Sequence, residues 1–310
     1  MRIAFFGTPD FAVPSLRALL GEGFDVAVVV TQPDRAQGRS RSTLVPPPVK
    51  EVALAERIPC LQPEKPNTTE FLDELRAFEP TIGVVAAYGH ILKPQLLEIP
   101  PLGMVNVHAS LLPALRGAAP IQHAIIQGLD ETGISIMQMD RGMDTGPILL
   151  RVPTDILPDE TGGELATRLA EVGAMALIEA LALYTANAVY PEEQDESRAS
   201  HAPKITTEMA RIRWEEPATR IARLVRALDP KPGAWSELDG TRIKLFGPRL
   251  GDPVPNGAAP GEITEVAPAF TVATGEGCIE FVDVQPAGKA RLAASDWVHG
   301  RGARAGASLS

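Results

Sequence analysis

The chain has little cysteine, few aromatics, no long apolar run and a shortage of positive charge. Its two cysteines, Cys60 and Cys278, have neither a CxxC partner nor a neighbouring histidine. That excludes a disulfide framework and a thiolate metal site, and it fits structural thiols in a reducing compartment. No apolar stretch reaches the roughly 18 residues a bilayer span requires. The opening MRIAFFGTPDF lacks the apolar core and cleavage pattern of a secretory signal, so a mature cytoplasmic N-terminus is expected. Gly7-Thr8-Pro9 follows the first apolar run, but no GxGxxG or GxxxxGKS/T is present, which removes the two common phosphate-cradling loops. HExxH, HxxxH and paired-cysteine spacings are also missing, so no metal is expected.

Of the 310 residues 45% are hydrophobic, and the mean hydropathy is near zero. That supplies a sizeable core and suits a soluble protein of about two domains. The net charge of −10 argues against a chain that binds nucleic acid over its whole surface. The distribution qualifies this. Residues 1–200 hold 15 basic and 26 acidic groups, whereas residues 201–250 hold ten basic and six acidic. A local field acts within about one Debye length, roughly 8–10 Å, so a basic patch on an acidic protein can still receive a polyanion.

The first half alternates buried strands with helices. Strands are expected at 2–6, 25–30, 59–61, 81–87, 103–108 and 132–139, and helices at 11–20, 49–56, 67–77 and 117–127. This order predicts an α/β fold with a parallel or mostly parallel sheet covered on both faces. Thr161 and Glu164 form a capping-box signature ahead of a long helical pattern that runs to 190. Residues 191–203 are polar, acidic and aperiodic, and read as a linker. Beyond them lie one amphipathic helix, 218–228, and short β-like runs separated by Gly and Pro, the texture of a small barrel or sandwich.

Chemistry concentrates in NVHASLLP (106–113) and DRGMDTG (140–146). On a strand, residues i and i+2 share a face, so Asn106 and His108 point the same way at the carboxyl end of the strand, where ligands of open α/β sheets bind. An asparagine amide can donate to an oxyanion, a histidine can donate or move protons near neutral pH, and Asp144 can support the imidazole. Taken alone, such a string more often marks a turn-capping asparagine with a structural histidine, and Asp144-Thr145-Gly146 more often an Asx-turn.

Longer strings decide between these readings. NVHASLLPALRGAAPIQHAIIQG and ETGISIMQMDRGMDTGPIL, with FFGTPDFAVPSLRALL, AAYGHILKP, KITTEMARIRW and VQPAGKARLAASDW, resemble the formyl-tetrahydrofolate-dependent formyltransferase family from end to end. The resemblance implies a Rossmann-like formyltransferase domain over 1–190, a linker over 191–203 and an oligonucleotide-fold-like β-barrel that binds tRNA over 204–310. It makes Asn106, His108 and Asp144 the catalytic set. It places Ser110, Leu111, Leu112, Pro113, Ala87, Tyr88, Gly89 and Asp140 at the folate. It assigns tRNA contacts to Arg35, Arg39 and Arg41 in a basic insertion, and to Lys204, Arg211 and Arg213. Arg220, Arg223 and Arg226 are further phosphate-contact candidates. The implied reaction moves the formyl group of 10-formyltetrahydrofolate to the α-amine of initiator methionyl-tRNA, in a cytoplasmic monomer with no metal and no membrane partner. The alternatives are formyl transfer to a nucleotide or sugar amine, hydrolysis of formyl-folate, or a folate- or RNA-binding protein without catalysis. The chain departs from the family at Ala114 and Leu115, where a basic and an aromatic residue are usual, and in the insertion, which reads GRSRS.

Overall fold

The computed structural model describes every residue except 38–42, 187, 189, 255–256 and 301. The chain divides into two compact units. One comprises Met1–Pro120, Glu131–Asp155 and Ala166–Pro203, the other Ile121–Asp130, Ile156–Leu165 and Lys204–Ser310.

The first unit is built on β1 (Arg2–Gly7), α1 (Val13–Gly21), β2 (Asp25–Val30), β3 (Arg35–Gln37), β4 (Thr43–Val45), α2 (Pro48–Ala55) and β5 (Cys60–Leu61). It continues through α3 (Thr69–Arg76), β6 (Ile82–Ala86), α4 (Pro94–Leu97) and β7 (Met104–His108). Then follow α5 (Pro120–Gln127), β8 (Glu131–Gln138), β9 (Ile148–Asp155) and α6 (Gly162–Thr185); nearly all of α5 and the first turn of α6 count with the second unit. A seven-stranded sheet runs in the order β5-β2-β1-β6-β7-β8-β9. The first five strands are parallel, and β8 and β9 are antiparallel. The continuous apolar runs of β1, β2 and β6 are buried because helices cover both faces of a parallel sheet.

Three local features differ from expectation. The first helix starts at Val13, after a 3-10 turn over Asp10–Ala12, because Pro14 is tolerated only in a helix's first turn. β9 escaped the sequence reading because its eight residues mix buried and exposed positions without clean alternation. Residues 191–203 are not a free linker. They lie against the first unit, with Glu192 bridging Ile148 and His201 bridging Arg116. The capping box formed as expected: Glu164 N donates to Thr161 Oγ1 at 3.2 Å, and Thr161 N donates to Glu164 Oε2 at 2.9 Å.

The second unit holds α7 (Ala218–Leu228), β10 (Ala234–Leu238), β11 (Thr241–Leu250), β12 (Ile263–Glu265), β13 (Phe270–Ala273), β14 (Cys278–Pro286), β15 (Leu292–Ala293) and α8 (Ala294–His299). Its antiparallel sheet runs β10-β11-β14-β13-β12, with β15 beside β14. The two edge strands are joined by residues 307–310. Glu237 and Ser310 exchange backbone hydrogen bonds at 2.8 and 2.9 Å, and Ile263 N donates to Ala307 O at 2.8 Å. This closes the sheet into a barrel and removes both open edges. Leu309 fills the closure with 2% exposure, near a core that contains Trp214, Phe270 and Phe281. Among the described residues no helix is long and apolar enough to cross a membrane.

Candidate active site

β7 carries Asn106 and His108 on one face. The opposite face, marked by Val107, lies against α6 at Gly173, where a Cβ would come within 2.9 Å of Val107 Cγ1. Small residues thus let the helix cover one side of the sheet and leave the other to the polar pair. His108 is 5% exposed. Its Nδ1 faces Asp144 Oδ2 at 3.7 Å, an ion-pair separation too long for a hydrogen bond. Its Nε2 lies 3.1 Å from the carbonyl oxygen of Leu115. A carbonyl can only accept, so Nε2 carries a proton, and in the imidazolium both N–H groups face acceptors. The Asn106 amide has no hydrogen-bond partner among the described residues and is partly exposed, so its donors are free for a ligand.

Asp144 reaches His108 by an indirect route. β8 runs antiparallel to β7, so the loop after it leaves beside Met104, with Met139 N donating to Met104 O at 2.8 Å. From there it must return along about 13 Å of strand. Asp140 organises that return, accepting from Gly142 N at 2.9 Å and from Thr145 Oγ1 at 2.7 Å. A Cβ at Gly146 would stand 2.0 Å from Gln138 O, so only glycine permits the loop's close return to β8. Asp144 takes a left-handed backbone conformation, φ 55°, and its Oδ2 accepts from Gly117 N at 2.9 Å. Gly117 has φ 116°, and a Cβ there would lie 2.8 Å from Ala202 O.

The expected folate-contacting residues divide by accessibility. Ser110 is 1% exposed and its hydroxyl donates to Ala114 O at 2.6 Å. Leu112 is 1% exposed and packs with Met137 and Ile148, its N–H donating to Ser135 Oγ and its carbonyl accepting from Arg151. Pro113 is buried and Leu111 is half-buried. The Tyr88 ring is turned into the core, edge-on to Phe6 at 5.5 Å, and burial holds its phenol proton far above the ordinary range. Tyr88 O accepts from Thr8 Oγ1 and Gln32 Nε2, so it is the backbone of 87–89 that lies beside the β1 turn. Ala87, Gly89 and Asp140 are exposed.

The basic candidates are less gathered. Arg35 is exposed at the root of the β3–β4 ribbon, donating to the Gln32 side chain, while Arg39 and Arg41 lie outside the described residues. The ribbon's base is fixed by Asp34, which Lys50 and Gln62 bond at 2.8 and 2.7 Å and thereby hold below the usual carboxylate range. In the second unit Lys204 and Arg213 are exposed. Arg211 lies 5.3 Å from the centre of the Trp235 ring and Arg242 lies 3.8 Å from it, so Arg242 joins the candidate surface although no pattern around it singles it out. Arg220 pairs with Glu216 at 2.8 Å. Arg223 and Arg226 line a cavity of about 370 Å³ with Arg249 and Asp159. Burial lowers the Arg226 pKa, and its guanidinium donates to Glu160 O at 3.0 Å.

Arg116, Gln194 and Ser200 were not expected here. Arg116 sits inside the quoted SLLPALRG string, but its partners are about 80 residues away in a segment without periodicity, so no local signal could join them.

The chain thus holds a Rossmann-like, mostly parallel sheet in one unit and an antiparallel barrel in the other. Residues 1–181 match the family described as formyl transferase, and residues 204–302 match the formyl transferase C-terminal domain. The chain belongs to the formyl transferase family. The methionyl-tRNA formyltransferase of Moorella thermoacetica is 46% identical over 301 residues, 97% of this chain and 96% of its own length. The solved methionyl-tRNA formyltransferase from Clostridium thermocellum has a TM-score of 0.61 at 17% identity, covering 92% of this chain and 98% of its own. HypX from Aquifex aeolicus in complex with tetrahydrofolic acid has a TM-score of 0.66 at 19% identity, covering 97% of this chain and 47% of its own. At such identities the two structures establish the fold alone.

Proposed function

We propose that the chain transfers the formyl group of 10-formyltetrahydrofolate to the free α-amine of initiator methionyl-tRNA in the cytoplasm. The observation that carries this reading is the unengaged amide of Asn106 beside an imidazole whose two nitrogens face Asp144 and the Leu115 carbonyl, in a chain of this family. The 46% identity with a methionyl-tRNA formyltransferase over 97% of the chain supports the choice of amine. The folate supplies an activated formyl carbon, and the substrate's own amine is the nucleophile, so no serine or cysteine nucleophile is needed. Asn106 donates to the oxyanion that forms when the amine adds. His108 in its charged form offsets the same negative charge, and Asp144 supports the imidazolium. Asp144 also takes part in moving the amine's proton, through water, to the departing N10 nitrogen. The buried parts of SLLP act as the turn that fixes His108, while Leu111, Ala87, Gly89 and Asp140 are left to meet the folate. Arg35, Arg39 and Arg41, with Lys204, Arg211 and Arg213, meet tRNA phosphates, which supply affinity rather than sequence reading.

The test is formylation of charged initiator tRNA with 10-formyltetrahydrofolate, with charged elongator tRNA and glycinamide ribonucleotide as control acceptors. Product on the initiator tRNA alone is expected; preferred formylation of the ribonucleotide would replace this reading with its nearest rival.

A further inference from the structure

Both groups that hold the His108 imidazole belong to residues in left-handed backbone conformation without being glycine: Leu115 at φ 58° and Asp144 at φ 55°. Such residues persist only where their surroundings over-determine them. At both, a fixing partner comes from residues 192–202, beside the Gly117 N–H that already holds the Asp144 carboxylate. Gln194 Nε2 donates to Asp144 O at 2.8 Å and to Gly146 O at 2.7 Å. Gln194 Oε1 accepts from Arg116 Nε at 3.0 Å and Nη2 at 2.8 Å. A guanidinium only donates, so Arg116 fixes which end of the Gln194 amide faces the loop, and both amide hydrogens and both lone pairs are engaged. Arg116 is 2% exposed and is itself held by a two-pronged pair with Glu196, at 2.9 and 2.8 Å. On the other side Leu115 N donates to Ser200 Oγ at 2.9 Å, and Arg116 exchanges backbone bonds with Ser200 and Ala202 at 2.8 and 2.7 Å. Glu192 anchors the segment's start, bridging Ile148 and receiving both arms of Arg151, which also bonds Leu112 O.

We propose that residues 192–202 are a positioning strap for the formyl-transfer site, in which Gln194, oriented by Arg116, sets Asp144, and Ser200 sets Leu115, so that the His108 imidazole is held from both nitrogens. The proposal rests on the reading of His108 and Asp144 given above. The strap's residues are positioning residues, each acting through another.

The test uses the full chain with Gln194→Met, Ser200→Ala and Ser200→Thr. Gln194→Met keeps volume but removes all four hydrogen bonds; it should lower kcat about tenfold or more while both KM values stay within about threefold. Ser200→Ala should lower kcat, and Ser200→Thr, which keeps the hydroxyl, should restore it. A purely structural role would instead give unchanged kcat per folded molecule, or equal losses in both Ser200 variants, and either result overturns the strap. Should Gln194→Met fail to fold, the Ser200 pair decides alone. A second readout needs no turnover. In protein labelled at histidine, the His108 ring resonances should move in Gln194→Met while those of His90 and His299 stay. If the wild-type chain formylates no methionyl-tRNA, the functional reading fails, but a displaced His108 still supports the strap; an unmoved His108 overturns it.

Discussion

The surroundings of His108 in the first unit and of Trp235 in the second use charge in opposite ways. Around His108 the ring, Ser110 and Arg116 are buried, Asp144 and Arg116 are held by named partners, and two residues accept left-handed geometry to meet the ring. Around Trp235, Arg211 and Arg242 both lie against the aromatic ring, with Lys204 and Arg213 exposed elsewhere in the same unit. The first arrangement is over-determined, so single changes should act strongly and specifically. In the second the cations reach solvent and repeat one kind of contact, so single changes should act weakly and through salt.

The largest effect is expected at the ring. His108→Ala should lower turnover by about two to four orders of magnitude with near-native melting behaviour, and wild-type rates in that variant would remove its role. Asn106→Ala should cost about 3 kcal/mol in kcat/KM, and a loss confined to KM would show that the amide binds substrate and transition state alike. In the second unit the strongest single site should be apolar. Leu309→Ala opens a cavity where the barrel closes and should cost about 2–5 kcal/mol in urea unfolding; a change below 1 kcal/mol, roughly the scale of surface sites, would mean that the closure is not held by packing.

Thr161→Ala removes a helix cap and should cost about 1 kcal/mol. Its hydrogen bonds with Thr161 hold Glu164 below the usual carboxylate range. That contribution is therefore complete above the unfolded carboxylate pKa and is lost as pH falls through the depressed folded value. The difference in stability between wild type and variant should narrow over that acidic window. The smallest effect is expected from Lys204→Ala. It should weaken tRNA binding only a few-fold and reduce the slope of log affinity against log salt by about one. A salt-independent loss would move Lys204 from phosphate attraction to specific recognition.

The strands β1, β2 and β7, the helix over 218–228 and the capping box were legible because each has a local cause: an apolar run, a 3.6-residue period, or two polar residues three apart. The shared face of Asn106 and His108 was legible from their spacing, since residues two apart on a strand point the same way. The buried state of Ser110, Leu112 and Tyr88 was not. A motif fixes residue types, whereas burial depends on what packs over them, and here Met137, Ile148 and Phe6 do so. The segment 191–203 misled for the same reason. It lacks periodicity because its hydrogen bonds leave it for Arg116, Asp144 and Leu115 rather than forming within it.

The sequence by itself determined the alternation of strands and helices, the strand that carries Asn106 and His108, and the family, because each is written in residues close together in the chain. Only the tertiary structure decided that Asp144 returns along β7 to reach His108, that residues 307–310 close the barrel, and that Gln194 and Ser200 brace the imidazole. Those contacts join residues tens of positions apart, and backbone geometry with donor and acceptor matching settles them only after the chain has folded.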